Sequence, residues 1–200
     1  MSVQEKHPTP SKEEIALLEP FERVELNRIT LVNTLAQARE ACAELIEHTV
    51  WGFDTESKPT FHKDQVSDGP HIVQLATPQH AWVFQLHEPA CRDEVAALLA
   101  HGGHVKAGFG LGDDTKRIVA KLAVQPAAVM DLNAVFRARG YRKDMGVKGA
   151  VAVVFNRRFF KSKKAATSNW AAPQLSEGQL VYAANDAWAA VRVYHALGLE

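Results

Sequence analysis

Few features of the composition point to a specialised class of protein. The 200 residues contain only two cysteines, Cys42 and Cys91, which lie far apart in the sequence. This number and spacing exclude a disulfide-rich framework and a CxxC metal site, and they favour a reducing compartment. The N-terminus lacks the apolar core of a secretory signal, and no apolar run approaches the ~18 residues of a membrane-spanning helix. We therefore expect a cytoplasmic protein without a membrane segment.

The charge of the chain also lacks a bias. The 23 Lys and Arg residues equal the 23 Asp and Glu residues, so the formal net charge at pH 7 is +0. Binding of a polyanion would therefore depend on a local cluster of positive charge. No internal repeat and no low-complexity tract is visible. The proportions of hydrophobic (46%) and charged (23%) residues are those of an ordinary globular chain, and the length suits one domain.

Local patterns predict where the domain begins and where several strands lie. Three prolines and several charges in residues 1–20 predict a flexible N-terminal tail, followed by a single domain over residues 21–200. Alternating apolar side chains over residues 23–32 are typical of a strand. Two apolar runs, at residues 71–77 and 81–86, are separated by a short turn and predict a β-hairpin.

The last helix has a recognisable start. Ser176 followed three residues later by Gln179 is the pattern of a capping box, in which each side chain satisfies a backbone donor of the first turn. The stripe that we expect to pack on the sheet contains Leu180, Ala184, Ala187, Val191 and Tyr194. Strands come first and helices then alternate with them, so the sequence predicts an α/β domain with a mixed β-sheet flanked by helices.

The predicted strand over residues 50–56 carries two carboxylates. Successive side chains of a strand point to opposite faces, so Asp54 and Glu56 share one face. Two such carboxylates repel each other unless a proton or a cation lies between them, and Mg²⁺ prefers oxygen ligands of this kind. The short pattern is weak on its own, because a solvated strand end would look the same.

Two further groups of polar residues could take part in chemistry. Tyr182 and Asp186 are four residues apart in the last helix, which places them on one face, away from the predicted core stripe. A hydrogen bond on the helix surface would also explain this pair. Asp113 and Asp114 stand at the start of a helix, after a strand and a glycine-rich turn. The helix dipole favours acidic residues there, so capping is an alternative role.

Three segments, taken in order, resemble the three exonuclease motifs of the DEDD superfamily, in the branch with a tyrosine in the third motif. They read WGFDTESKP, VKAGFGLGDDTKRI and SNWAAPQLSEGQLVYAANDAWAA. The likeness is closest to Werner-type exonuclease domains and to ribonuclease D catalytic domains, and it extends from about Trp51 to Leu197. In the second motif we choose Asp114 over Asp113, because it lies six residues after Gly108 and directly precedes Thr-Lys-Arg-Ile.

The resemblance implies a ribonuclease H-like fold and a 3′-5′ exonuclease that releases nucleoside 5′-monophosphates from a free 3′ end. It also implies two divalent metal ions, Mg²⁺ or Mn²⁺, held by four carboxylates. By this resemblance, Asp54 bridges both ions, while Glu56 and Asp186 hold the ion that activates water. Asp114 acts through the second ion. Tyr182 orients the water, because a phenol with a pKa near 10 is a poor base at neutral pH. The implied catalytic residues are Asp54, Glu56, Asp114, Tyr182 and Asp186.

A basic segment lies between the second and third motifs. Phe159 and Phe160 stand among its cations, and this combination suits an unpaired 3′ end because cations contact phosphates and aromatic rings stack on bases. A solvated loop whose phenylalanines fill the core is the alternative. Trp170 belongs to a family signature and could either touch nucleic acid or brace the loop. The predicted substrate-binding residues are Arg157, Arg158, Lys161, Lys163, Lys164 and Trp170.

Two other functions fit parts of the sequence. Glycines at 108, 110 and 112, with Asp131 about 20 residues after the first, suggest a nicotinamide-dependent oxidoreductase. Asp113 stands where the third glycine of that motif is required, and carboxylates there would repel a pyrophosphate. The second alternative is an inactive nucleic-acid-binding module of the same fold.

The remaining expectations concern other ligands and partners. His101 and His104 lack further ligands at zinc spacing, so we expect them on the surface. The likeness to Werner-type motifs favours DNA slightly over RNA. Specificity could come from an unidentified protein partner.

Overall fold

The computed structural model of the chain describes residues 7–60 and 66–199. Within them the chain forms six strands and eight α-helices. The strands are β1 (Ile29–Val32), β2 (Val50–Glu56), β3 (Ile72–Ala76), β4 (Ala81–Gln85), β5 (Val105–Gly108) and β6 (Val129–Asp131). The helices are α1 (Lys12–Ala16), α2 (Leu35–Leu45), α3 (Pro89–Ala100), α4 (Gly112–Leu122), α5 (Leu132–Ala138), α6 (Gly146–Phe155), α7 (Lys163–Ala166) and α8 (Glu177–Ala196).

The six strands form one mixed sheet in the order β1-β4-β3-β2-β5-β6. Two pairs of neighbouring strands are antiparallel, β2–β3 and β3–β4. The other three pairs are parallel, β1–β4, β2–β5 and β5–β6. The predicted hairpin is confirmed as β3 and β4, and its turn is closed by the Thr77 N–H, which donates to the His80 carbonyl at 2.8 Å. Strand β2 lies inside the sheet, between β3 and β5.

Helices cover both faces of the sheet, because strand side chains alternate between two apolar cores. On one face, Trp51 and Phe53 pack with the buried side of α2 and α3. On the other face, Val50 and Ile72 pack against α8 and α6. Helix α8 contacts β2, β3, β4 and β5, so it crosses most of the sheet. The predicted α/β architecture with a mixed sheet and flanking helices is confirmed.

Helix α8 is buried over most of its length. The predicted capping box of Ser176 and Gln179 is present, with the Gln179 N–H donating to Ser176 Oγ. Of the predicted core stripe, Leu180 is only half-buried, and burial extends beyond the stripe to Tyr182 and Asp186. The placement of these two residues away from the core is therefore wrong. The chain between α6 and α8 covers their side of the helix, for example through the buried Trp170 ring, which lies 5.8 Å from the ring of Tyr182.

Three local expectations also differ from the structure. The strand expected from residue 23 begins only at Ile29, after a 3₁₀ turn at Leu26–Arg28. Residues 129–131 form strand β6, which no sequence pattern predicted. His104 is 9% exposed, because its ring stacks on Trp51 with centroids 4.7 Å apart, so its assignment to the surface is wrong.

The N-terminal segment is partly described. Residues 1–6 of the predicted tail lie outside the described residues. Helix α1 has a capping box of Ser11 and Glu14 and contacts α6, and an Arg158 guanidinium N–H donates to the Ala16 carbonyl at 2.8 Å. The flexibility of residues 1–20 and the single domain over 21–200 stay predictions.

Among the described helices, none combines the length and apolar character needed to cross a membrane. Both cysteines are free thiols.

Candidate active site

The candidate site lies where β2 and α8 come closest. Gly52 makes this approach feasible, because a Cβ at this position would lie 1.8 Å from the Ala187 carbonyl oxygen. Glycine inside a strand often marks such an approach of another backbone, so the Trp-Gly-Phe run contained a usable signal. The contact brings Asp54 of β2 close to Asp186, the residue before Ala187. The strand and the helix together therefore build the site.

Three of the predicted carboxylates form one group. One oxygen each from Asp54, Glu56 and Asp186 lies within 4.8 Å of the others. Asp186 is 5% exposed, and its Oδ1 is buried without a hydrogen-bond partner among the described residues. Clustered carboxylate oxygens with an unsatisfied buried atom are the ligands that a hard divalent cation prefers. The donor set therefore fits a hard divalent cation.

The pKa values of these carboxylates reflect their burial and mutual repulsion. Burial raises the pKa of Asp54 well above its ordinary value, and the charges of Asp186 and Asp114 raise it further. Burial and the charge of Asp186 raise the pKa of Glu56 to about 8. The group therefore favours the protonated form of Glu56 at neutral pH unless a cation compensates the negative charge.

Lys161 contributes a positive charge to this group. Its Nζ lies 2.6 Å from Asp186 Oδ2 and 5.2 Å from the centre of the Tyr182 ring. Burial alone would lower the pKa of Lys161, but the charges of Asp186 and Asp54 raise it above its ordinary value. Lys161 was predicted only as one of several phosphate contacts. No local pattern distinguished it from the neighbouring lysines, because its contact with Asp186 depends on the path of the chain between α6 and α8.

Tyr182 lies one helical turn before Asp186 and is 8% exposed. Burial and the negative charge of Asp186 raise its pKa above the ordinary value of 10.0. The phenol therefore keeps its proton at neutral pH and is suited to hydrogen bonding rather than to proton abstraction. The Trp170 ring packs near it, and Trp170 itself is 1% exposed. Its burial supports the bracing alternative over contact with nucleic acid.

The two neighbouring aspartates of α4 have different surroundings. Asp114 accepts a hydrogen bond from the Thr55 hydroxyl, and its charge contributes to the raised pKa of Asp54. Asp113 forms an ion pair with Lys116 at 3.1 Å, and its side chain is 78% exposed. Asp114 thus lies beside the three carboxylates but outside their close group. Thr55 was not predicted, because it points away from Asp54 along the strand.

The remaining cations of the basic segment lie at the surface or hold the chain. Arg157 is exposed, and Lys163 and Lys164 are exposed on α7. Arg158 binds the N-terminal segment instead: its N–H donates to the Glu19 carbonyl at 2.8 Å, and its carbonyl accepts from the Phe21 N–H. The Arg158 guanidinium also donates to the Ala16 carbonyl at 2.8 Å, so its side chain contacts the same segment, and its contact with substrate stays a prediction.

The oxidoreductase alternative finds little support in the same region. The Asp131 carboxylate accepts hydrogen bonds from the Leu111 and Asn133 N–H groups at 3.3 and 2.9 Å. It therefore fixes the glycine-rich turn and caps α5. A Cβ at Gly108 would lie 2.3 Å from the Phe53 carbonyl oxygen, so this glycine is explained by strand packing.

Sequence comparisons agree on one family. A family model described as 3′-5′ exonuclease matches residues 29–200. The chain is 25% identical over 156 residues to the bifunctional 3′-5′ exonuclease/ATP-dependent helicase WRN of Mus musculus. The aligned region covers 77% of this chain and 11% of that protein. It is also 25% identical over 148 residues to a 3′-5′ exonuclease of Arabidopsis thaliana. Here the aligned region covers 73% of this chain and 51% of that protein. The chain thus spans about half or less of the length of these relatives.

The fold is shared with solved structures. Trypanosoma brucei RNase D in complex with RNA U12 superposes with a TM-score of 0.75 at 20% identity, covering 84% of this chain and 62% of that chain. This likeness confirms the predicted ribonuclease H-like arrangement of the sheet and helices.

Proposed function

The chain belongs to the 3′-5′ exonuclease family, and on that premise we propose that it hydrolyses phosphodiester bonds at the 3′ end of nucleic acid with two divalent metal ions. The products are nucleoside 5′-monophosphates. The observation that carries the proposal is the group of Asp54, Glu56 and Asp186 oxygens within 4.8 Å of one another. Three carboxylates this close together, with Asp186 buried and Asp54 and Glu56 half-buried, are unfavourable by themselves, so the group favours a function that uses a cation.

In this proposal, each carboxylate has a role set by its place. Asp54, Glu56 and Asp186 would hold one ion, and Asp54 and Asp114 would hold the second. Bound Mg²⁺ or Mn²⁺ would supply activation of a water molecule and stabilisation of charge on the leaving 3′ oxygen. Thr55 orients the Asp114 carboxylate through the hydrogen bond that its hydroxyl donates.

Tyr182 and Lys161 position the reacting groups. The raised pKa of Tyr182 keeps its phenol neutral, so we assign it to orienting the attacking water by hydrogen bonding. The Lys161 ammonium carries the charge opposite to a phosphodiester and lies beside Asp186, so we assign it to the scissile phosphate. The exposed cations Arg157, Lys163 and Lys164 then contact phosphates further along the strand.

We propose DNA as the preferred substrate, because the three motifs resemble those of Werner-type exonucleases. The solved fold relative bound to RNA U12 makes RNA the direct competitor. Recognition of the 2′-hydroxyl decides between the two, so both substrates belong in the same assay.

The test follows shortening of 5′-labelled single-stranded DNA, recessed-end duplex and RNA of one sequence. Each is incubated with Mg²⁺, with Mn²⁺ and with a chelator. We expect a metal-dependent ladder that shortens from the 3′ end and is lost in Asp54→Asn. The matched control is Asp113→Asn, which removes an exposed carboxylate nearby. Binding without cleavage of any substrate in either metal would overturn the proposal in favour of an inactive binding module.

A further inference from the structure

Gln74 is a fully buried polar residue in the middle of the sheet. It lies on β3 and is 0% exposed. Both polar atoms of its amide, Nε2 and Oε1, are buried without a hydrogen-bond partner among the described residues. A buried polar group of this kind costs free energy, because it has lost its hydrogen bonds to water. Native proteins retain such groups chiefly at functional sites, so the Gln74 amide needs an explanation in terms of function.

The register of the sheet places the Gln74 side chain on the face of the candidate site. Gln74 stands directly opposite Asp54 in the antiparallel β2–β3 pair. Directly opposite side chains of such a pair lie on the same face, with Cβ atoms about 4.5–5.5 Å apart. Ile72 and Ala76, two residues to either side, belong to the core that α8 covers, so Gln74 faces α8 as well. Its amide is therefore within reach of the Asp54 carboxylate.

The other neighbours of Gln74 offer no equivalent partner. On β4 the residue opposite Gln74 is the apolar Val83. Gln85 of β4 lies on the same face, but its Nε2 donates to two carbonyls of the chain between α7 and α8, at 3.2 and 3.3 Å. Helix α8 contributes small apolar side chains to this core, namely Ala183, Ala184 and Ala187. Of the two residues directly opposite Gln74, only Asp54 has a side chain that can accept a hydrogen bond.

Asp54 is the carboxylate whose orientation matters most, because the proposed function places it on both ions. Its Oδ1 accepts the Thr55 N–H at 2.9 Å, which is a contact with the next residue of the same strand. Carboxylates that bind metal ions are ordinarily also hydrogen-bonded by neighbouring groups, which fix their orientation. We infer that Gln74 is a positioning residue for Asp54: in the cation-bound protein its amide donates to the Asp54 carboxylate and holds it toward the cation. This inference rests on the proposed function.

The test compares the stability of the protein with its affinity for Mn²⁺. In Gln74→Met, an unbranched apolar side chain of similar size replaces the amide. We expect the urea midpoint in chelator to rise, because an unpartnered buried polar group is removed. Calorimetry at pH 8 should show Mn²⁺ binding weakened by about 10- to 100-fold, the usual range for loss of a group that orients a metal ligand. A residue with only a structural role would not raise stability while weakening metal binding.

Gln85→Met is the matched control, because it also removes a buried amide from this face of the sheet. The Gln85 amide has hydrogen-bond partners, so its loss should lower the urea midpoint and leave the affinity for Mn²⁺ at the wild-type value. Unchanged Mn²⁺ binding in Gln74→Met, or equal weakening in both variants, would overturn the inference. A fall of both stability and Mn²⁺ affinity in Gln74→Met would also overturn it, by assigning Gln74 to packing. If the two quantities move in opposite directions but the wild type shortens no substrate in Mg²⁺ or Mn²⁺, the proposed hydrolysis fails while the positioning role stands.

Discussion

Replacing Gly52 with alanine tests whether the approach of β2 to α8 builds the site. The new Cβ would lie 1.8 Å from the Ala187 carbonyl oxygen, 2.7 Å from its carbon and 3.1 Å from the Val191 nitrogen. Carbon–oxygen contacts between backbones are ordinarily about 3.3 Å or longer, so strand and helix must separate by about 1.5 Å. Backbone atoms cannot rotate away as a side chain would.

The expected loss has two parts. Overpacking in a core costs about 1–3 kcal/mol, and a backbone obstacle places this substitution at the upper end, about 3 kcal/mol of unfolding free energy. Asp54 and Asp186 sit within two residues of the contact, on the two elements that separate. A misplacement of ~1 Å at a catalytic site can reduce the rate about 100-fold, so activity per folded molecule should fall by this order.

Urea unfolding followed by tryptophan fluorescence gives the stability, and shortening of single-stranded DNA at low urea gives the rate per folded molecule. Gly102→Ala is the matched control, because a Cβ there meets nothing within 4 Å. If Gly52→Ala matched the wild type in both urea midpoint and rate, the close approach would not be what positions the carboxylates.

Three further predictions concern the charges of the site. In chelator, the unfolding free energy should fall as pH rises from 4.5 to about 8, because the raised pKa of Glu56 makes the folded state favour its protonated form. Glu56→Gln should flatten this slope in urea titrations, and identical slopes would contradict the assignment. Lys161→Met removes a cation 2.6 Å from Asp186, so calorimetry at pH 8 should show Mn²⁺ binding at least about tenfold tighter than to the wild type. The control Lys143→Met should leave the affinity for Mn²⁺ unchanged. Weaker Mn²⁺ binding by Lys161→Met would refute the competition between Lys161 and a metal ion for Asp186. Asp114→Asn should slow exonuclease turnover by about 10- to 100-fold while Asp113→Asn does not, and the reverse result would reassign the second motif.

Much of the fold was predictable because it depends on short-range patterns. The β3–β4 hairpin follows from two apolar runs and a turn, and the start of α8 follows from the capping pair Ser176 and Gln179. The order of the six strands could not be predicted in this way, because it is decided by packing between distant segments. Strand β6 was missed because three residues are too short for a periodic signal.

The candidate site was predictable to the extent that its residues stand in short motifs. Alternation along β2 placed Asp54 and Glu56 on one face, and the resemblance supplied Asp186 as their partner. Neither the alternation along β2 nor the resemblance indicated that Lys161 lies in the carboxylate group. A lysine in a basic segment has the same local pattern whether its side chain faces solvent or a carboxylate. Exposure of Phe160 beside a buried Phe159 likewise depends on the tertiary path of the chain.

The close packing of β2 on α8 has a consequence for the order in which the protein folds. The carboxylates come from residues 54 and 186 of one chain, so no locally folded unit contains the group. Bringing them together requires closure of a long loop, and their mutual repulsion opposes it, so the group should form after the transition state for folding. Interactions that form late chiefly slow unfolding. A cation bound by these carboxylates should therefore lengthen the lifetime of the folded enzyme while leaving its rate of refolding almost unchanged.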